Sequence, residues 1–113
     1  MMALLMGLKS VSPSELHDLV QRKAVTVFDV NSRQSWDKAH VPGARNLDAA
    51  AFGERDLPAD KDAHLVFYCS NLMCRKAPAA AKRAKAMGYT NVRVLSAGIT
   101  GWVSANLPTE AGV

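Results

Sequence analysis

The chain has 113 residues, 49% of them hydrophobic and 21% charged, and it carries a formal net charge of +4. This length predicts one domain, 1–113, with a core of its own, and the composition excludes a disordered or fibrous protein. The positive charge is too small to predict binding to nucleic acid. The basic residues at 76–85 also have no aromatic residues between them on which bases could stack.

The N-terminal residues 1–8 are apolar but have neither a leading basic residue nor the length of a membrane span. We therefore expect an N-terminal extension here, with no signal peptide and no contact with a membrane. Residues 109–113 are expected to form a C-terminal tail. The two cysteines, Cys69 and Cys74, lie in one loop, unlike the disulfide framework of a small secreted protein, so we predict a cytoplasmic location.

Local signals in the first half of the chain predict two helices and two strands. Ser12 is placed to cap a helix, with Pro13 in its first turn and Glu15 three positions after the cap. The predicted elements are, in chain order, a helix that begins near Ser12, a buried strand at 25–30, a short helix at 32–39 and a short strand at 45–47.

The second half of the chain predicts further elements of the same two kinds. Pro78 is tolerable in the first turn of a helix, and Gly88 is a suitable helix stop. The predicted elements are a helical turn at 48–52, a surface connection at 57–62, a strand at 64–68, a helix at 76–87, a strand at 92–95 and a short helix at 99–105.

This alternation of strands and helices predicts the fold class. Crossover helices between strands imply a parallel sheet that is covered on both faces. We therefore predict an α/β domain with a sheet of about five mostly parallel strands and with helices on both faces. Such sheets bind ligands at the carboxyl ends of their strands, which is where Cys69 follows the strand 64–68.

Cys69 and Arg75 form the strongest candidate site in the sequence. A thiol reacts as its thiolate, which backbone N–H groups at a helix N-terminus and a nearby cation both stabilise. Arg75 opens the predicted helix and supplies a planar fork that suits an oxyanion. The alternative is that Cys69 is simply a buried core residue at the end of an apolar strand.

Several segments, spread in order along nearly the whole chain, match sequence motifs of one family. Each motif is weak by itself, but together they are specific. The matching segments are Phe28-Asp29-Val30, His40-Val41-Pro42-Gly43-Ala44-Arg45-Asn46-Leu47, Tyr68-Cys69, Gly88-Tyr89-Thr90-Asn91-Val92-Arg93-Val94-Leu95, Ala97-Gly98-Ile99-Thr100-Gly101-Trp102 and Leu107-Pro108. In this order they resemble the rhodanese homology domain, a family of sulfurtransferases and related modules.

The resemblance implies a sulfur shuttle, in which Cys69 takes a sulfane sulfur from a thiosulfate-like donor and passes it to a thiol or cyanide. Arg75 would orient the donor anion. The partners are therefore a small anionic sulfur donor and a thiol acceptor, and we expect no cofactor and no metal. The backbone amides of the loop would hold the persulfide; the loop residues are Ser70, Asn71, Leu72, Met73 and Cys74.

Asp29 and Arg33 are candidate accessory residues. Asp29 ends the first predicted strand on the edge of the sheet that would face the site. We expect its carboxylate to accept hydrogen bonds from the backbone or to pair with Arg33 or Arg45.

The length of the loop departs from the sulfurtransferase pattern. Family members commonly have Cys-x-x-Gly-x-Arg, whereas Cys69 to Arg75 has one residue more and no glycine. A Cys-x5-Arg loop resembles that of Cdc25-type phosphatases and related arsenate reductases. Those enzymes usually have a histidine where this chain has Tyr68, and a glutamate in the loop, which is missing here. A phosphatase or arsenate reductase, and a non-catalytic module that binds an anion or a partner, stay open as alternatives.

Cys74 allows two interpretations. It could attack an oxidised or persulfidated Cys69 as a resolving thiol and leave a disulfide. The interpretation that we favour from the sequence is that Cys74 fills space in the loop.

Overall fold

A five-stranded parallel sheet with four α-helices makes up the computed structural model, which describes residues 8–112. The strands are β1 (Lys9–Ser10), β2 (Thr26–Asp29), β3 (Arg45–Asn46), β4 (Leu65–Tyr68) and β5 (Val92–Val94). The helices are α1 (Pro13–Gln21), α2 (Arg33–Lys38), α3 (Lys76–Ala86) and α4 (Gly98–Ser104), and a 3₁₀ helix spans Glu54–Asp56.

The strands lie in the order β1-β5-β4-β2-β3, and every neighbouring pair is parallel. Phe67 of β4 is in register with Phe28 of β2 on one side and with Val94 of β5 on the other. The carboxyl ends of the strands therefore meet at one edge, with β4 in the middle. The predicted α/β fold and its parallel sheet are confirmed.

Alternate residues of the central strands point to opposite sides of the sheet. Both sides are buried because helices cover each of them. Phe28 and Phe67 pack on one side with the buried alanines of α3. Val66 packs on the other side with Leu16 of α1 and Trp102 of α4. This arrangement confirms the predicted helices on both faces.

Helix α1 begins as predicted, because a reciprocal pair of hydrogen bonds satisfies its first backbone groups. Ser12 Oγ accepts from the Glu15 amide at 3.2 Å, and Glu15 Oε1 accepts from the Ser12 amide at 3.1 Å. The α3 helix ends before Gly88, whose φ of +101° is in the left-handed region that favours glycine. Both predicted helix boundaries therefore follow from local chemistry.

Two elements were not predicted, and one predicted segment lies mostly outside the described residues. Strand β1 is only two residues long, and the 3₁₀ helix Glu54–Asp56 follows the turn predicted at 48–52. Of the predicted N-terminal extension 1–8, the structure describes only Leu8, which is buried. Within the described range, no helix has the length and apolar character needed to cross a membrane.

The C-terminal tail is attached to the domain through Glu110. Its backbone N–H and C=O both pair with His40, at 2.9 Å each. The Glu110 carboxylate also accepts a hydrogen bond from the Gly43 amide. The tail thereby covers the turn that leads into β3.

Candidate active site

Cys69 lies directly after β4, at the carboxyl edge of the sheet, and is only 2% exposed. Its carbonyl oxygen accepts a hydrogen bond of 2.9 Å from the Ile99 amide, and the Ser70 carbonyl accepts one of 3.0 Å from the Thr100 amide. The first N–H groups of α4, which have no partner within that helix, are thus used to hold the end of β4. These two backbone contacts with α4 fix the position of Cys69.

The start of α4 lies against the cysteine loop with no space between them. Gly98 has a φ of +67°, and a Cβ atom built on it would be 2.6 Å from the carbonyl carbon of Ser70. Only glycine combines this backbone conformation with such a close approach. Gly98 was not predicted to belong to the site, although it lies in one of the matching segments.

The loop is folded by Asn71. Its side-chain oxygen accepts from the Met73 amide at 2.9 Å, and its carbonyl oxygen accepts from the Cys74 amide at 3.1 Å. This turn directs the chain back toward Cys69. It leaves the side chains of Leu72 and Met73 61% and 84% exposed. Two of the predicted loop residues therefore form an apolar rim.

A disulfide bond joins Cys69 to Cys74. Their Cα atoms are 6.3 Å apart, and Cys74 is half-buried against the core on the α3 side of the sheet. The packing interpretation of Cys74 is therefore incomplete, because it did not predict the bond to Cys69. In this state of the molecule, Cys69 must be reduced before it can act as a nucleophile.

A cavity of about 380 Å³ opens above Cys69. No carboxylate is found among its lining residues in the described part of the chain, and most of its walls are apolar. The lining residues are Cys69, Asn71, Leu72, Met73, Cys74, Arg75, Ala77, Pro78, Val94, Leu95 and Ser96.

The cavity is suited to an anion because backbone and side-chain donors meet there. Arg75 occupies the position before the first residue of α3, is exposed and forms no ion pair within residues 8–112. The Ala77 amide, in the first turn of α3, belongs to a residue that lines the cavity and has no acceptor among the described residues, and no side chain caps this helix. Free N–H groups, the helix dipole and a guanidinium together favour a negatively charged ligand.

Ser96 also lines this cavity, and it was not among the site residues predicted from the sequence. Its hydroxyl oxygen is buried and has no hydrogen-bond partner among the described residues. A buried hydroxyl without a partner is unusual in a folded protein. The hydroxyl is thus free to interact with a bound anion or sulfur atom.

Asp29 is not brought to the cavity. Its buried carboxylate accepts hydrogen bonds from the Tyr68 hydroxyl, at 2.7 Å, and from the Asn31 amide, at 2.8 Å. Burial raises the pKa of Asp29, while these two hydrogen bonds act in the opposite direction. The Tyr68 hydroxyl accepts in turn from the Val41 amide, and burial together with Asp29 raises the pKa of Tyr68 well above its ordinary range. Asp29 thus connects β2, β4 and the turn before β3.

Arg33 also lies away from Cys69. Its guanidinium pairs with Asp37, one turn further along α2, at 3.1 Å, and lies 5.0 Å from the centre of the Trp36 ring. The two predicted accessory residues therefore have structural contacts of their own, and neither lines the cavity. The expected backbone contact of Asp29 is present.

Known proteins resemble the chain over most of its length. A family model described as the rhodanese-like domain matches residues 12–105. The human thiosulfate:glutathione sulfurtransferase is 30% identical over 111 residues, which cover 86% of this chain and 95% of that protein. An HTH-type transcriptional regulator of Mycobacterium tuberculosis is 31% identical over 105 residues, covering 91% of this chain but only 45% of the regulator.

Solved structures give the same result for the fold. The BH2092 protein from Bacillus halodurans superposes with a TM-score of 0.83 at 22% identity and covers 91% of this chain and 77% of that chain. A thiosulfate sulfurtransferase from Pseudomonas aeruginosa has a TM-score of 0.80 at 27% identity, covering 93% of this chain and 20% of that chain. The match to the family model, together with these likenesses, shows that the chain belongs to the rhodanese-like domain family.

Proposed function

We propose that this chain is a sulfurtransferase, which carries sulfane sulfur as a Cys69 persulfide from a thiosulfate-like anion to a thiol or cyanide acceptor. The observation that carries this proposal is the position of Cys69 at the base of a cavity that has Arg75 and free amides but no carboxylate. The human and Pseudomonas relatives named as sulfurtransferases support it.

The first half of the reaction loads the sulfur. With the disulfide reduced, the Cys69 thiolate attacks the outer sulfur of thiosulfate, a new S–S bond forms, and sulfite leaves with the electron pair of the old one. Arg75 holds the sulfonate oxygens of the donor, and the amides at the start of α3 stabilise the anionic persulfide.

The second half of the reaction transfers the sulfur from Cys69 to the acceptor. A thiolate or cyanide attacks the outer sulfur of the persulfide and restores the Cys69 thiolate. Leu72 and Met73, the apolar rim, line the cavity and are exposed, so the acceptor would approach past them. Because the reaction needs a reduced Cys69, we place it in a reducing compartment such as the cytoplasm.

The lining of the cavity favours sulfur over phosphorus chemistry. A phosphatase that acts on an alkoxide ester needs a general acid to protonate the leaving group. Within the described part of the chain, no Asp or Glu lines the cavity, and Asp29, the acidic residue predicted near the site, lies outside it. Sulfite leaves as a stable anion and needs no such acid.

Turnover with defined substrates tests the proposal. We expect the reduced protein to convert thiosulfate and cyanide to thiocyanate and sulfite, and we expect Cys69→Ser to be inactive. The same preparations are assayed with an aryl phosphate and with arsenate. Turnover of either of these that depends on Cys69, with none from thiosulfate, would favour the phosphatase or reductase alternative. Inactivity with all of them would favour a binding module.

A further inference from the structure

We propose that Cys74 is a resolving thiol, which attacks the Cys69 persulfide, releases hydrosulfide and leaves the Cys69–Cys74 disulfide. This inference rests on the proposed function, since it needs a persulfide on Cys69. It adds a second activity to the same site, the reduction of thiosulfate to sulfite and hydrosulfide at the expense of a dithiol.

The structure places the two sulfur atoms where this step needs them. Cys69 and Cys74 are bonded, and their Cα separation of 6.3 Å is within the range of ordinary disulfides, which is about 4.4–6.8 Å. The turn made by Asn71 holds Cys74 in this position through the hydrogen bond to the Cys74 amide. The loop therefore has the backbone conformation that the product of the step requires.

Cys74 adjoins the groups that make the cavity suitable for an anion. Cys74 directly precedes Arg75, which stands just before the first residue of α3, and it lines the same cavity as Cys69. A guanidinium and the free N–H groups of a helix N-terminus both stabilise a nearby thiolate. The thiol that attacks and the anion that leaves thus share one electropositive environment.

The positions of the sulfurs also decide which bond breaks. Cys74 contacts Cys69 Sγ, the inner sulfur of the persulfide, whereas an external acceptor takes the outer sulfur. Attack on the inner sulfur forms the Cys69–Cys74 bond and breaks the bond to the outer sulfur. The outer sulfur takes the electron pair of that bond and the proton that the Cys74 thiol gives up, and it leaves as hydrosulfide. The inner sulfur exchanges one S–S bond for another and keeps its oxidation state, so Cys74 Sγ is oxidised and the outer sulfur is reduced.

A dithiol of the thioredoxin-like class, or two molecules of a small thiol, then reduces the disulfide and returns both cysteines to thiols. In the sum, one thiosulfate and one dithiol give one sulfite, one hydrosulfide and one disulfide of the reductant. Without a reductant, the protein stops after one cycle in the disulfide state that the structure contains.

A single-turnover experiment without external thiols tests this step. Wild-type protein, Cys74→Ser and Cys69→Ser are reduced, freed of reductant under nitrogen and mixed with one equivalent of thiosulfate. Sulfite, sulfide and the intact protein mass are followed in time. We expect the wild type to release both sulfite and sulfide and to finish as the disulfide.

Cys74→Ser is the diagnostic variant, because it removes the resolving sulfur and keeps the size of the side chain. We expect it to release sulfite, to keep the persulfide and to release sulfide roughly 100-fold more slowly, since an intramolecular thiol acts at a high effective concentration. It should still deliver its sulfur to added cyanide, which a merely misfolded variant would not do.

The outcomes separate the inference from the proposed function. A wild-type protein that keeps its persulfide, or a Cys74→Ser variant that releases sulfide as fast as the wild type, would overturn the role of Cys74 and leave sulfur transfer intact. If neither the wild type nor Cys74→Ser releases sulfite, the proposed function fails and the inference fails with it. Cys69→Ser should release neither product.

Discussion

Gly98 lies so close to Ser70 that a Cβ atom on Gly98 would be 2.6 Å from both the carbonyl carbon and the carbonyl oxygen of Ser70. These atoms are backbone and cannot move aside without moving the cysteine loop. The contact therefore joins the start of α4 to the residue that follows Cys69, and it makes the geometry of the loop depend on a glycine far from it in sequence.

We predict that Gly98→Ala displaces the loop and impairs both stability and sulfur transfer. The substitution adds a clash with backbone to an unfavourable positive φ, so we expect a loss of roughly 3 kcal/mol in the free energy of unfolding. Urea unfolding and the thiosulfate-to-cyanide assay measure the two effects.

Gly43→Ala is the matched control for this prediction. Gly43 also has a positive φ, +81°, but a Cβ atom there would meet nothing within 4 Å. We expect a loss of only about 1–2 kcal/mol from the backbone conformation and an unchanged specific activity. Equal effects of the two substitutions on activity would contradict the role assigned to the Gly98 contact.

Asp29 should make the stability of the protein depend on pH. Burial raises its pKa above the ordinary value of 3.8, so the folded protein binds a proton more readily than the unfolded chain does. The stabilisation that protonated Asp29 contributes is then fully present below the pKa of Asp29 in the unfolded chain. It is lost as the pH rises through the higher pKa of Asp29 in the folded protein. We predict that the wild type loses stability over this interval, and that Asp29→Asn, which cannot titrate, does not.

Urea unfolding at a series of pH values between about pH 4 and pH 7 measures this difference. The quantity of interest is the change with pH in the gap between the two proteins, because the amide also alters the hydrogen bonds with Tyr68 and Asn31. A gap that stays constant across the series would mean that Asp29 titrates alike in the folded and unfolded states.

Arg75 should affect the binding of the donor more than the chemical step. An arginine can hold two oxygens of a sulfonate at once, and a lysine cannot, so Arg75→Lys is expected to lower kcat/KM for thiosulfate by about 10- to 100-fold, mainly through KM. Arg55→Lys makes the same change at an exposed residue outside the cavity and should have no effect. An unchanged KM for Arg75→Lys would remove the proposed role in donor binding.

The disulfide should make the oxidised protein more stable than the reduced one. The bond closes a short loop, with a sequence separation of 5, for which chain entropy predicts about 2 kcal/mol. Urea unfolding of the wild type with and without a reductant measures the difference, and Cys74→Ser should show none. A wild-type stability that does not respond to the reductant would contradict this expectation.

Local signals in the sequence are sufficient for most of the fold. The capping box of Ser12 and Glu15, and the apolar runs of β2 and β4, need no distant partner to be recognised. Strand β1 was missed because Lys9–Ser10 is too short to show a periodicity, and it becomes a strand only by pairing with β5.

The candidate site was only partly predictable for a related reason. Cys69 and Arg75 mark the end of a strand and the start of a helix, which the sequence shows. The contact of Gly98 with Ser70 and the unpaired hydroxyl of Ser96 depend on how distant segments meet. Asp29 was assigned to the site from its place at a strand end, but only the structure shows that its side chain accepts from Tyr68.

The most direct test of the account is the mass of Cys74→Ser after the reduced protein has been treated with thiosulfate, because this variant lacks the thiol that would remove the product. We expect a gain of one sulfur atom, located on the peptide that contains Cys69 and lost on treatment with cyanide, with one sulfite released for each protein modified. A protein whose mass does not change, and which releases no sulfite, would contradict the claim that Cys69 carries sulfane sulfur.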